Sequence, residues 1–97
     1  MHKHLNLLGY DYGASSGRAM LGRFDGQKIA LEELHRFSND PVQVGDTLHW
    51  DVLRLYHELT QGLLAAVKAG VQPDAIGIDT WGVDFGLLDG RGNLLSN

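Results

Sequence analysis

The run Asp11-Tyr12-Gly13-Ala14-Ser15-Ser16-Gly17-Arg18 packs a carboxylate, two glycines, two hydroxyls and a guanidinium into one short stretch. That set suits a polyphosphate and its metal ion. Successive N–H groups in a glycine-containing turn can form an anion-binding nest. Ser15 and Ser16 add hydroxyl donors, and Arg18 offers a planar, always charged fork that matches phosphate oxygens. Asp11 repels phosphate, so its part would be to hold a divalent cation through water, the cation bridging to the phosphate. Gly13 and Gly17 are expected to adopt conformations, and permit a ligand approach, that other residues forbid. A plain Gly/Ser hairpin with Asp11 bonding its own turn accounts for the same residues. The run contains neither G-x-x-x-x-G-K-[ST] nor G-x-G-x-x-G, which excludes a P-loop and a dinucleotide fingerprint.

A second dense segment is Ile76-Gly77-Ile78-Asp79-Thr80-Trp81-Gly82-Val83-Asp84-Phe85. Asp79 is expected to emerge at a strand end near Asp11, with Thr80 and Trp81 lining the adjoining cleft. Gly82 would let a ligand approach the backbone. An indole suits a sugar, whose C–H faces pack on it while its hydroxyls find polar groups nearby. The competing account makes Trp81 core, Gly82 a bulge and Asp84 an edge charge. The histidines add little: His2 and His4 sit at the terminus, and His35, His49 and His57 lack ligand spacing and read as structural or exposed. Glu32 and Glu33 read as solvent-facing.

The elements that must position these residues follow from periodicity. Residues 5–10, 18–24 and 28–37 read as strands, with Asp25-Gly26 as a hairpin signal between the last two. Residues 38–48, with Pro41 and Gly45, read as a loop that Trp50 closes. Asp51 reads as a helix N-cap. Val52, Leu55, Tyr56, Leu59, Leu63, Leu64 and Val67 then form one apolar helix face. Gly70 ends the helix and Pro73 lies just beyond. Residues 75–79 and 81–88 read as strands, followed by a turn at Asp89-Gly90 and Gly92-Asn93.

The order β-β-β-α-β-β predicts an α/β fold: a mixed sheet with the helix packed on one face. The strands ending at Asp11 and Asp79 should be parallel neighbours, and ligands favour such carboxyl ends.

Ninety-seven residues allow at most one small domain. A net charge of −4 argues against a general nucleic-acid or anionic-membrane binder. The absence of cysteine excludes disulfides and thiolate metal sites and fits a cytoplasmic protein. The short apolar run after Met1-His2-Lys3-His4 is neither a signal peptide nor a membrane span.

Together, D-Y-G-A-S-S-G-R and I-G-I-D-T-W-G-V-D-F resemble the opening of the FGGY family of carbohydrate kinases, and within it the branch acting on L-rhamnulose. E-L-H-R-F, from Glu33, and W-D-V, from Trp50, strengthen the resemblance, which runs over about residues 5–88. The Asp-x-Gly turn alone is shared with the wider actin and hexokinase superfamily; its pairing with D-T-W-G-V-D-F is more specific. The resemblance implies a ribonuclease H-like (actin-like ATPase) fold, with residues 1–97 as the N-terminal part of a first kinase domain. It implies transfer of the ATP γ-phosphate, with Mg²⁺, to the 1-hydroxyl of L-rhamnulose in L-rhamnose catabolism. By that analogy Ala14, Ser15, Ser16, Gly17 and Arg18 bind ATP, Asp11 positions the metal, and Asp79, Trp81 and Gly82 contact the sugar. Family members are several times longer, and their aspartate base and adenine pocket fall in segments absent here. The chain alone is therefore expected to be inactive. A kinase for another ketose or polyol, a non-enzymatic nucleotide- or sugar-binding module, and an interaction fragment with unpaired sheet edges are the alternatives.

Overall fold

The computed structural model describes residues 4–97; the reading of His2 lies outside the described residues. The elements run β1 (Leu5–Tyr12), β2 (Ser16–Phe24), β3 (Ile29–Ser38), β4 (Val42–Val44), β5 (Thr47–His49), α1 (Val52–Lys68), β6 (Ala75–Thr80), β7 (Leu87–Leu88) and β8 (Leu94–Ser96). One four-stranded sheet has the order β3-β2-β1-β6. Its β1–β2 and β2–β3 pairs are antiparallel, and β1–β6 is parallel. The expected mixed sheet with a helix on one face is what forms.

Side chains alternate across β1. Leu8, Tyr10 and Tyr12 are buried on the α1 side, while Gly9 and Asp11 are exposed on the other. Ala19 and Leu21 of β2 and Phe37 of β3 complete the core, against which Leu34 of β3 and Leu55, Leu59 and Leu63 of α1 pack. Full burial of a side chain such as Leu8 or Leu21 is worth about 1.5–3 kcal/mol.

Two tyrosine hydroxyls fix the helix to the sheet. Tyr10 donates to the Leu59 carbonyl at 2.7 Å and Tyr12 to the Leu55 carbonyl at 2.8 Å. Gly62 makes room for the first of these, since a Cβ there would lie 2.6 Å from the Tyr10 hydroxyl. At the helix start the Asp51 carboxylate accepts from the Arg54 amide at 3.1 Å, as an N-cap should. At its end, Gly70 turns with φ of 74°.

Three expectations change. Residues 38–48 are not wholly loop: β4 and β5 form a small hairpin around Gly45, which has φ of 60°. Residues 81–88 are not one strand: the Asp84 amide donates back to the Trp81 carbonyl at 2.9 Å, curling the chain into a turn. Only Leu87–Leu88 is extended, and it pairs with β8. The apolar helix face is also wider than the sheet it meets. Val52, Tyr56, Leu64 and Val67 are exposed, while Glu58, Gly62 and Ala66 are buried. Edge strand β6 likewise leaves Ile76 and Ile78 exposed. Among the described residues, no helix is long and apolar enough to cross a membrane.

Candidate functional site

The turn between β1 and β2 is a tight hairpin closed by the Gly13 amide donating to the Ser16 carbonyl at 3.0 Å. Neither Gly13 nor Gly17 has positive φ. Both glycines are explained by space instead. A Cβ on Gly13 would stand 2.7 Å from the Ser16 carbonyl oxygen, and one on Gly17 would stand 2.2 Å from the Phe37 ring. Gly17 is thus a seat for Phe37, and it is buried.

Asn39, buried just after β3, holds the turn from below. Its side-chain amide donates to the Gly13 carbonyl at 2.8 Å, and its backbone amide donates to the Ser15 carbonyl at 3.0 Å. Those two carbonyls are thereby turned toward Asn39. The Ala14 and Ser15 amides have no backbone or side-chain partner among the described residues, and both residues are exposed. Two unpaired amides beside a serine hydroxyl suit an anion. The sequence carried no signal for Asn39, because nothing in S-N-D-P announces that the asparagine is buried.

Asp11 and Arg18 are directly opposite in the β1–β2 ladder, and Asp11 and Asp79 are register partners in β1–β6. All three side chains therefore share the sheet face away from α1. Arg18 donates through Nη1 to Asp11 at 3.2 Å and through Nη2 to the Ser16 hydroxyl at 3.1 Å, while its Nε is buried without a partner. The fork that was expected to face phosphate is thus turned onto Asp11 and Ser16. Among the described residues, no three His, Asp or Glu side chains converge as a metal cage. Two neighbouring carboxylates do fit Mg²⁺, which keeps several waters and takes one or two carboxylates together with phosphate oxygens.

Trp81 is not grouped with these residues. It lies past the end of β6, beside a cavity of about 410 Å³ lined by Pro41, Leu48, Trp50, Trp81, Val83 and Phe85, with His49, Asp84 and Asn97 at its polar points. That volume is in the range of small-molecule sites. Asp84 organises its wall: Oδ1 accepts from the Trp50 indole at 2.7 Å, and Oδ2 accepts from the Trp81 backbone amide at 3.2 Å. Asn97 holds the Trp50 backbone from the other side, donating to its carbonyl at 3.1 Å and accepting from its amide at 2.8 Å. A second cavity of about 280 Å³, bordered by Tyr12, Asn39, Leu55 and Thr80, shares Trp50, Asp84, Phe85 and Asn97 with the first. Gly82 is exposed, with open space where a Cβ would be.

Behind the site, Glu58 of α1 is 4% exposed yet charged. Burial alone would raise its carboxyl. Hydrogen bonds and charge from His35 at 2.5 Å and Arg54 at 2.8 Å outweigh that and hold it below the usual glutamate value. Here the sequence did carry a trace, since Glu58 sits four residues after Arg54 on the stripe between Leu55 and Leu59. His35 is structural, as read.

No family model matches the chain. Individual relatives do. The chain is 48% identical over 82 residues to a rhamnulokinase of Oceanobacillus iheyensis, covering 84% of this chain and 17% of that protein. It is 46% identical over 90 residues to a rhamnulokinase of Bacteroides thetaiotaomicron, covering 93% and 19%. It is 44% identical over 93 residues to one from Mannheimia succiniciproducens, covering 94% and 19%. The chain is thus homologous to bacterial rhamnulokinases over most of its own length and spans about a fifth of theirs.

Proposed function

We propose that this chain is the N-terminal part of the first domain of an FGGY-type carbohydrate kinase, built on an actin-like ATPase core. The reaction is transfer of the ATP γ-phosphate to the 1-hydroxyl of L-rhamnulose, giving L-rhamnulose 1-phosphate. The observation that carries this reading is the register pairing of Asp11 with Asp79. It brings the two most distinctive sequence segments side by side, beside a turn with two amides that have no partner among the described residues.

The geometry supports the following roles. Ala14 and Ser15 are exposed, and their amides and the Ser15 hydroxyl would donate to phosphate oxygens. Asp11 would hold Mg²⁺ through water, which neutralises phosphate charge when bound. Gly17 would act by seating Phe37, which keeps the turn against the core. Arg18 would leave Asp11 for a phosphate oxygen once a cation takes the carboxylate. Gly82, Trp81 and Asp79 would contact the sugar, Asp79 standing next to Asp11 in the sheet. Positioning and charge neutralisation account for most of phosphoryl transfer. One wall of the cleft supplies only part of that, so the chain alone should bind without turning over. A cytoplasmic location is proposed with this reading.

The test has two arms. The 97-residue chain is titrated with Mg²⁺ and ATP by calorimetry and assayed for L-rhamnulose phosphorylation. Weak Mg²⁺-dependent binding without turnover is expected. A polypeptide extending this chain to the length of its relatives is then assayed on a panel of ketoses and polyols. L-rhamnulose should give the highest kcat/KM; a higher value for another sugar overturns the substrate assignment. Turnover by the short chain overturns the claim that it is one wall only.

A further inference from the structure

We infer that Asp84 is a positioning residue for a sugar subsite: it fixes Trp50 and the Trp81 backbone as walls of the 410 Å³ cavity, and this cavity takes the deoxygenated end of the ketose. The inference rests on the carbohydrate-kinase reading above.

The argument begins with the carboxylate. Asp84 is half-buried in the wall of a mainly apolar cavity, where it would be read as a group offered to a sugar hydroxyl. Both of its oxygens are already committed within the fold, one to the Trp50 indole and one to the Trp81 amide. Its work is therefore to hold an aromatic from before α1 against the turn after β6. These two segments are separated by 34 residues, and the indole–carboxylate bond is a direct link between them. A charge-assisted bond of this kind is stronger and more directional than a neutral one.

With Asp84 tied to Trp50 and Trp81, and the Asn97 side chain tied to the Trp50 backbone, the cavity presents mainly ring faces and aliphatic groups (Trp81, Phe85, Val83, Leu48 and Pro41) beside His49. Such walls reward a methyl or methylene carbon and leave a hydroxyl few partners, His49 among them. The hydroxylated part of the sugar must then lie outside it. The inner cavity, which shares Trp50 and Asp84 with the outer one, leads that way, toward Asn39 and the turn that Asn39 holds. A 6-deoxyketose phosphorylated at its other end matches this polarity.

The chain has two tryptophans, and both border this cavity. Trp81 signals therefore report on this cavity, and Trp50 signals on it and on the second cavity that shares Trp50. In the ligand-free 97-residue chain, Asp84→Asn and Trp50→Phe are compared with wild type. Asp84→Asn is close in shape, and Trp50→Phe keeps an aromatic ring while deleting the N–H donor; thermal melts establish that each folds. Each protein is then titrated with L-rhamnulose and with L-fructose, its 6-hydroxylated counterpart, by calorimetry and by indole NMR.

The Trp50 indole resonance should move in Asp84→Asn. L-rhamnulose should perturb both wild-type indoles and bind about tenfold more tightly than L-fructose, within what one added hydroxyl is worth in an apolar site. Asp84→Asn, which removes the charge from the bond, and Trp50→Phe, which removes its donor, should each weaken L-rhamnulose binding about tenfold, and the double variant little further, because both act on the same indole–carboxylate bond. Binding detected by calorimetry with silent indoles, or undiminished in a folded Asp84→Asn, overturns the subsite while leaving the kinase reading intact. No binding of any ketose by calorimetry overturns the kinase reading for this chain and the subsite with it.

Discussion

The Arg18 guanidinium reaches across the β1–β2 ladder to within 3.2 Å of the Asp11 carboxylate, so two residues assigned to phosphate and to metal are paired with each other. The Asp11 side chain is half exposed and that of Arg18 is 30% exposed, so solvent screens the pair and it should add little to stability. Its consequence is competition. By the proposed roles, a cation on Asp11 would release Arg18, and the anion bound beside that cation is what the released fork would meet.

Asp11→Asn tests this competition. The unfolding free energy should change by less than about 1 kcal/mol. Mg²⁺-dependent ATP affinity should fall about tenfold or more, read by calorimetry with and without Mg²⁺. An Asp11→Asn protein that binds Mg²⁺ and ATP as wild type does would remove Asp11 from the metal site.

Gly17→Ala should destabilise the chain by about 1–3 kcal/mol, because the new methyl meets the Phe37 ring at 2.2 Å. Phe37→Ala alone should also be costly, by about 3–5 kcal/mol. In the double variant the two losses should sum to less than their separate values, since one change relieves the other. Urea unfolding of the four proteins measures this. Strict additivity would show that Gly17 is required for some reason other than packing.

Asn39→Ala removes the side-chain bond to the Gly13 carbonyl. A cost of about 1–2 kcal/mol is expected. The more telling readout is local: ¹⁵N relaxation at Ala14 and Ser15 should show greater motion than in wild type. Unchanged relaxation there would mean that the hairpin holds its shape without Asn39.

Acid should weaken the β3–α1 contact through Glu58. Its folded pKa lies below the unfolded value of 4.5 because its bonds to His35 and Arg54 outweigh burial. The stabilisation is therefore present above about pH 4.5 and is lost as pH falls through the lower folded value. Glu58→Gln should flatten this limb of the stability–pH curve. Equal acid limbs in the two proteins would assign acid unfolding to other carboxylates.

Alkali should act through Tyr10. Burial, with a smaller contribution from neighbouring Tyr12, pushes its hydroxyl from 10.0 up to about 12. The neutral form is the one that donates to Leu59, so stability is full below pH 10.0 and falls as pH rises toward 12. Tyr10→Phe should cost about 1 kcal/mol at neutral pH and shrink the alkaline loss. Chemical denaturation between pH 8 and 12 reads both effects, and an undiminished alkaline loss in Tyr10→Phe would exclude Tyr10 as its source.

Much of this molecule was legible in its residues. The apolar run of β1, the Asp25-Gly26 signal and the Asp51 cap set the strands, one turn and the start of α1, because these depend on neighbours a few positions apart. The parallel pairing of β1 with β6 also followed, since a helix between two strands that pack on it returns the chain in the same direction. The partners of polar groups were not legible. Whether Glu58 is buried and charged, whether Asp84 is offered to a ligand or tied to Trp50, and whether Gly17 serves phosphate or Phe37 depend on atoms brought together from distant segments. Sequence determined which chemistries were present and on which strand ends. Tertiary structure decided which of those groups remain free, because a hydrogen bond or a steric seat is satisfied in space by whatever the fold brings within reach.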